Sequence, residues 1–335
     1  MKKINVIFFS IIVLIIFSCK QNQTRQVQPL LPLISGKPGE IIVVIDKYEW
    51  NSAIGDTLRK IFEAPYNILP QYEPIFDLIQ LDHDGFGKIF MTHRNIIIIN
   101  ISETYSKSTL KVWKDLHARS QVILQIEATN DSACLNLISQ NKNKIIEIFE
   151  NAERSRLQDI FKNNLDFKLS DLIKKQFNIS LLIPKGYEIF KNTEDFLWLQ
   201  EEIGDILQLI LIYKYKYKDP SMLTKDKMIK KRNEFVEKYV EGQIPGSYVT
   251  TETIVPPIFK EFKLNEHYAV ELRGLWRMEK GIAMGGPFIS ISMVDEKNYN
   301  VVTVEGMVFA AGHKKRNYIR QLEAIIMSMK LLDKK

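Results

Sequence analysis

Two uninterrupted runs of aliphatic residues, Glu40-Ile-Ile-Val-Val-Ile-Asp46 and Asn95-Ile-Ile-Ile-Ile-Asn-Ile101, constrain this chain more than any other feature. A strand with one wet face alternates apolar and polar residues; these runs are apolar on both faces. They predict strands in a sheet covered by helices on both sides. Helical spacing follows each run. Trp50, Ile54, Leu58, Ile61 and Phe62 come after the first, and Val112 and Leu116 after the second. Val122 to Ile126 reads as a third strand. From Asp131 a helical pattern passes through Leu137, Ile138, Ile145, Ile148, Phe149 and Ala152 to about Phe161, as two helices meeting near Asn141. Strand and helix alternate, so residues 40–170 are expected to form an α/β domain.

Residues 177–335 have a different rhythm. Ile179-Ser-Leu-Leu-Ile-Pro184-Lys-Gly186 opens the region on a turn. Leu207, Leu209, Leu211, Tyr213, Tyr215 and Tyr217 then alternate with a second set ending in Lys214, Lys216 and Lys218, the pattern of a half-exposed strand. A charged helix is expected from Pro220 to about Tyr239, stopped by Gly242 and Pro245. Strands follow near 247–255, 259–264, 267–278, 287–294 and 299–309, and a helix near 315–332 closes the chain. This second domain reads as α+β, a mostly antiparallel sheet carrying helices.

The first residues report an address. Lys2 and Lys3 precede the apolar run Val6–Phe17, which is broken only by Ser10 and ends in Ile16-Phe-Ser-Cys19. A positive head, a short apolar stretch and a small residue before a cysteine make a secretory signal, too short to span a bilayer. Its end resembles the bacterial lipobox. That resemblance implies a signal peptide at 1–18 and a lipid on Cys19, so that the mature chain of 317 residues is held to the membrane by acyl chains. Residues 19–39, polar and then punctuated by Pro29, Pro32, Gly36, Pro38 and Gly39, read as a flexible tether. Lys20-Gln-Asn22 lacks an acidic residue after the cysteine, which points to the outer membrane, facing the periplasm.

Composition closes off other classes. Apolar residues are 45% and charged residues 26%, a globular balance. The charge of +6 falls to +4 without Lys2 and Lys3 and is spread out, so no nucleic-acid footprint is expected. With Cys19 acylated, Cys134 is alone and reads as a small buried hydrophobe.

Four segments carry a family likeness: Gly274-Leu-Trp276, Met284-Gly-Gly-Pro-Phe288, Val304-Glu-Gly306 and Lys315-Arg-Asn-Tyr-Ile-Arg-Gln-Leu-Glu-Ala324. With them the chain resembles an uncharacterised lipoprotein family of Bacteroidota, described as domain of unknown function 4837. The likeness extends from Ser35-Gly-Lys-Pro-Gly39 to the last helix and implies no activity. The second region, with its hairpin at Pro184-Lys-Gly186-Tyr187, is also similar in layout to the PsbP/Mog1-type sandwich, whose domains more often bind than catalyse.

Motifs for chemistry are sparse. Asp82-His83-Asp84 with His93 and Glu73 is the one concentration of metal-capable side chains. Adjacent residues in a Gly85/Gly87 turn diverge, so a polar loop is the plainer reading and no metal is expected. There is no nucleophile elbow, phosphate loop or dinucleotide fingerprint, hence no cofactor expectation. Gly285-Gly-Pro287 reads as a turn. Trp276 alternates with Arg273 and Arg277, which places the tryptophan in the core and the arginines toward water or a partner.

Lys314, Lys315 and Arg316 open the terminal helix, where cations oppose the helix dipole. Together with Arg273 and Arg277 they are the expected site for an anionic group: a lipid headgroup, a cell-wall carboxylate or an acidic loop of an envelope protein. The combined expectation is a lipid-anchored envelope protein that binds or scaffolds. A hydrolase with dispersed catalytic residues is the alternative, and a cleft with converging titratable groups would favour it.

Overall fold

The computed structural model describes residues 30–332; the expected signal peptide, Cys19 and the first part of the expected tether lie outside these residues. β1 (Glu40–Val44), β2 (Asp77–Leu81), β3 (Asn95–Ile101), β4 (Thr109–Lys114) and β5 (Val122–Ala128) form one sheet in the order β2-β1-β3-β5-β4. All pairings are parallel except that of β4 with β5. One face is covered by α1 (Ala53–Phe62), α2 (Asp131–Gln140) and α3 (Lys142–Asn163). There Phe62, Phe76 and Phe149 meet edge-on with ring centres about 6 Å apart. The other face buries Ile42, Val44, Ile96 and Ile123, with Leu81 and Ile98 beside them, under Phe86 and Phe90. The two continuous aliphatic runs are thus covered on both sides, as their composition requires. Asn141 ends α2 and begins α3, the break read from the sequence.

The short strand β6 (Ile179–Ser180) precedes a second sheet, which is antiparallel. β7 (Glu188–Asn192), β8 (Phe196–Ile203), β9 (Ile206–Lys216), β10 (Tyr248–Thr251), β12 (His267–Glu279), β13 (Gly285–Asp295) and β14 (Asn300–Ala310) take the order β10-β12-β13-β14-β9-β8-β7, and β11 (Ile258–Leu264) also pairs with β12. α4 (Phe167–Phe177) and α6 (Arg316–Ile326) cover one face, and α5 (Lys225–Tyr239) the other. Ile319, Leu322, Ile325, Ile326 and Met329 are all at most 3% exposed. Each such burial contributes about 1.5–3 kcal/mol. Gly306 on β14 permits the close approach of α6: a Cβ there would sit 2.7 Å from Leu322 Cβ.

Several expectations are corrected by packing. Val112 belongs to the edge strand β4, not to a helix, and Leu116 to the loop after it. β2 escaped notice because an edge strand of five half-buried residues lacks a strong apolar pattern. β9 is buried on both faces over most of its length, because Ile210 and Ile212 lie under α4 and α6. The terminal helix stops at Ile326, and Lys330–Leu331 pair instead with Ile179–Ser180.

The boundary near 170 also moves. α4 is capped by the Asp166 side chain, which accepts the Leu169 N–H at 3.0 Å. It buries Leu169, Ile173 and Phe177 in the second core. The expected tether is not free to its end. Arg119 N–H donates to Pro32 O at 2.9 Å, Ser35 N–H to Thr92 O at 2.9 Å, and Gly36 lies against the His93 ring. Backbone hydrogen bonds therefore pin residues 32–36 to the first domain.

Candidate functional site

α3 ties the two domains together. Its 22 residues span about 33 Å. Ile145 and Phe149 lie in the first core, while Leu157 and Phe161 reach the second. Beside it opens the interdomain cleft, about 730 Å³, walled by α3, the β11–β12 pair and α6. The strand period puts Glu271 and Arg273 on one face of β12, opposite Lys260 and Ile258 of β11. On α6, Arg316, Arg320 and Glu323 follow helical spacing along a second stripe, away from its own sheet.

Glu323 is the hub. Its carboxylate accepts the Tyr66 hydroxyl at 3.0 Å, Arg154 Nη2 at 3.2 Å and Arg273 Nη1 at 3.3 Å, and it forms an ion pair with Arg273 Nη2 at 3.0 Å. Arg273 Nε also donates to Glu271 at 2.7 Å. Burial alone would raise the Glu323 carboxyl, but Arg273 and Arg154 outweigh it and hold the value at about 2. Burial acts against charge on Arg273 too, and Glu323 and Glu271 keep it firmly protonated. Tyr66 is pushed well up, by burial first and by Glu323 next. Glu150 on α3 is also raised, by burial and by Glu323. It makes no hydrogen bond among the described residues. Arg320 donates to Ile75 O at 2.6 Å and lies 4.6 Å over the Phe76 ring.

The cations expected to hold an anion are largely engaged. Glu73 from the first domain is 2% exposed and caps α6, accepting the N–H of Lys315 at 2.5 Å and of Arg316 at 3.0 Å. The Arg316 guanidinium holds Asp77 at 2.7 Å and Pro74 O at 2.7 Å. An internal carboxylate thus occupies the helix end. Arg273 turns into the cleft floor instead of toward water. Arg277 pairs with Glu252 at 3.5 Å and with Glu279 on the surface, and Lys314 stays exposed.

The metal-capable set is scattered. Glu73 caps α6, and Asp82, His83 and Asp84 lie in a short helical turn. His93 is buried against Asn95 and Glu40, its pKa lowered chiefly by burial. Among the described residues no group of three or more His, Cys, Asp or Glu could hold a metal ion. Trp276 is in the core, its Nε1 donating to Val308 O at 3.2 Å. Burial first, then nearby Asp131 and Glu49, push the Cys134 thiol up to about 12, so it stays protonated and inert. Tyr66, Arg154 and Glu323 were missed because the only sequence signal, charges at helical spacing, also describes a solvated face.

Residues 166–328 match the model of the family Domain of unknown function (DUF4837), and residues 34–162 match that of Domain of unknown function (DUF8532). The two matches lie side by side along the chain. The expected family therefore covers the second domain, not nearly the whole chain, and the junction at 163–165 agrees with the placement of α4 in the second core. No curated protein matches. Similar solved structures include the Ran-binding protein Mog1p of Saccharomyces cerevisiae, at 10% identity and TM-score 0.31, over 47% of this chain and 91% of that one. They also include cyanobacterial PsbP (CyanoP) from Synechocystis sp. PCC 6803, at 11% identity and TM-score 0.30, over 50% and 89%. At these TM-scores the Mog1 and PsbP neighbours carry no argument about activity. The region that matches DUF8532 supplies Glu73 and all but the last residue of α3, and the region that matches DUF4837 supplies β11, β12 and α6.

Proposed function

We propose that the protein is a lipid-anchored component of the cell envelope, held at the outer membrane and facing the periplasm, which binds an envelope partner or ligand in the interdomain cleft. The address rests on Lys2, Lys3, the apolar run and Cys19. Among the described residues no helix is long and apolar enough to cross a membrane. Binding rests on one observation: the charges at the cleft floor are fixed by mutual pairing. Glu323 is locked as a carboxylate and Arg273 as a cation. Groups so held present a rigid charge pattern for recognition but are poor proton carriers at neutral pH. The cleft's volume lies in the ordinary range for ligand sites. Uptake of an anion at the start of α6 falls to Lys314, since Glu73 and Asp77 hold its neighbours.

The hydrolase reading has one observation on its side: Glu150, a raised carboxyl on the cleft wall without a hydrogen-bond partner among the described residues. The test uses lipidated protein in native membranes. Cys19→Ser should abolish labelling by fatty acid. Lys260→Glu with Lys263→Glu, on the rim, should lose the component recovered with wild type, while Lys314→Glu keeps it. Unchanged labelling ends the lipoprotein reading, and recovery indifferent to the rim ends the cleft reading. Turnover of the recovered component that disappears in Glu150→Gln would establish the hydrolase.

A further inference from the structure

A second cavity lies at the other end of the first sheet, and neither the family matches nor the cleft accounts for it. β1 is flanked by β2 on one side and β3 on the other. The segment after β1 returns through α1 on one face, and the crossover from β2 to β3 runs over the opposite face through Phe86 and Phe90. β1 leads on to β2 on one side and β3 leads on to β4 and β5 on the other, so the connections separate at the carboxyl ends of β1 and β3. Open α/β sheets form their ligand crevices at such points, because the diverging connections leave strand ends uncovered. Here the crevice measures about 290 Å³ and is lined by Asp46, Glu49, His83, Asn100 and Tyr105.

The lining has a definite sign. It contains two carboxylates and no lysine or arginine. Glu49 Oε2 is buried without a hydrogen-bond partner, and the Asp46 side chain makes no cap to the turn that follows it. A buried carboxylate oxygen left unpaired costs free energy that a bound donor would recover. His83 Nε2 lies 3.0 Å from the Ile99 carbonyl, which can only accept. Nε2 therefore carries the proton, and in the neutral ring Nδ1 is an acceptor. Asn100 and Tyr105 add groups that both donate and accept. A metal ion does not suit the arrangement, since the carboxylates and the histidine form no ligand cluster.

We propose that this crevice binds a small organic cation, a primary ammonium on a hydroxylated body of monosaccharide size. The ammonium meets Glu49 and Asp46, and the hydroxyls meet His83, Asn100 and Tyr105. The proposal is independent of the interdomain cleft and of the lipid anchor.

Glucosamine and glucose are near-isosteric and differ in one group, ammonium against hydroxyl, so the pair isolates the charge. Amide resonances of the full mature chain, isotope-labelled, should shift saturably with glucosamine at the ends of β1 and β3 and around His83. Glucose and N-acetylglucosamine should leave them in place. Glu49→Gln should weaken binding about tenfold, the scale of one charge-assisted hydrogen bond. Asp46→Asn, on an exposed side chain, should weaken it in the same direction and gives an independent reading if Glu49→Gln unfolds. Equal response to glucose, response confined to the interdomain cleft, or no response to any of the three sugars would each overturn the proposal.

Discussion

Single side chains in this protein are held by charge as much as by packing, and acid is the direct probe. Glu323 has a folded value of about 2 against an ordinary 4.5. A lowered carboxyl contributes stability above its unfolded value, and that contribution disappears as the pH falls from about 4.5 toward 2. His93 acts earlier. Burial lowers its pKa, so protonation favours the unfolded chain once the pH drops below about 6.5. Thermal midpoints should therefore decline gently below pH 6.5 and steeply below 4.5. Glu323→Gln should remove the steep phase at lower overall stability. A second buried pair predicts a large effect without pH. Arg232 and Glu305 are almost fully buried and meet bidentately at 2.7–3.0 Å, with the guanidinium 3.8 Å over Phe288. Arg232→Met should cost about 3–5 kcal/mol in urea unfolding because it strands Glu305. Adding Glu305→Leu should recover most of that loss.

At the scale of elements, α6 works on two sides. Its aliphatic stripe packs on β14, and its charged stripe of Arg316, Arg320 and Glu323 faces the first domain. Glu73 closes the helix end from another domain, where a local Ser or Asp would ordinarily cap it. Glu73→Ala should cost about 1–2 kcal/mol, the upper range for a lost cap. Arg316→Gln should destabilise in the same direction by releasing Asp77 and Pro74 O. Lys314→Gln should stay within about 0.5 kcal/mol, as at an ordinary exposed site. Chemical denaturation of the three variants decides this, and equal small effects would mean the cap contributes nothing. The helix was legible from the spacing of Ile319, Leu322, Ile325 and Ile326. Its cap was not, because Glu73 is more than 240 residues away.

For the whole molecule, the question is how far the two domains are one cooperative unit. α3 enters both cores, Tyr66 of the first domain packs in the second core, and Glu73, Pro74 and Ile75 hold α6. Calorimetry of the full chain should therefore show a single transition. A fragment starting at Asn164 keeps the Asp166 cap of α4, whereas one starting at Asp171 loses that cap and the buried Leu169. Both should melt below the full chain, and the shorter one lower still. Two separate transitions in the full chain would show the interface to be weak.

Local periodicity settled the classes of the two sheets, the α2–α3 break at Asn141 and the core placement of Trp276. Each of these needs only a short window of residues to show which faces are apolar. The proposed lipoprotein address likewise rests on contiguous residues. Only the tertiary structure decided what the charged stripes do. Tyr66, Arg154, Arg273 and Glu323 come from four separate segments, and their pairing leaves no periodic trace. A row of charges on a helix has the same spacing whether it meets water or another domain. The energetics change once a second surface removes the water, and that surface is fixed by the packing of the whole chain.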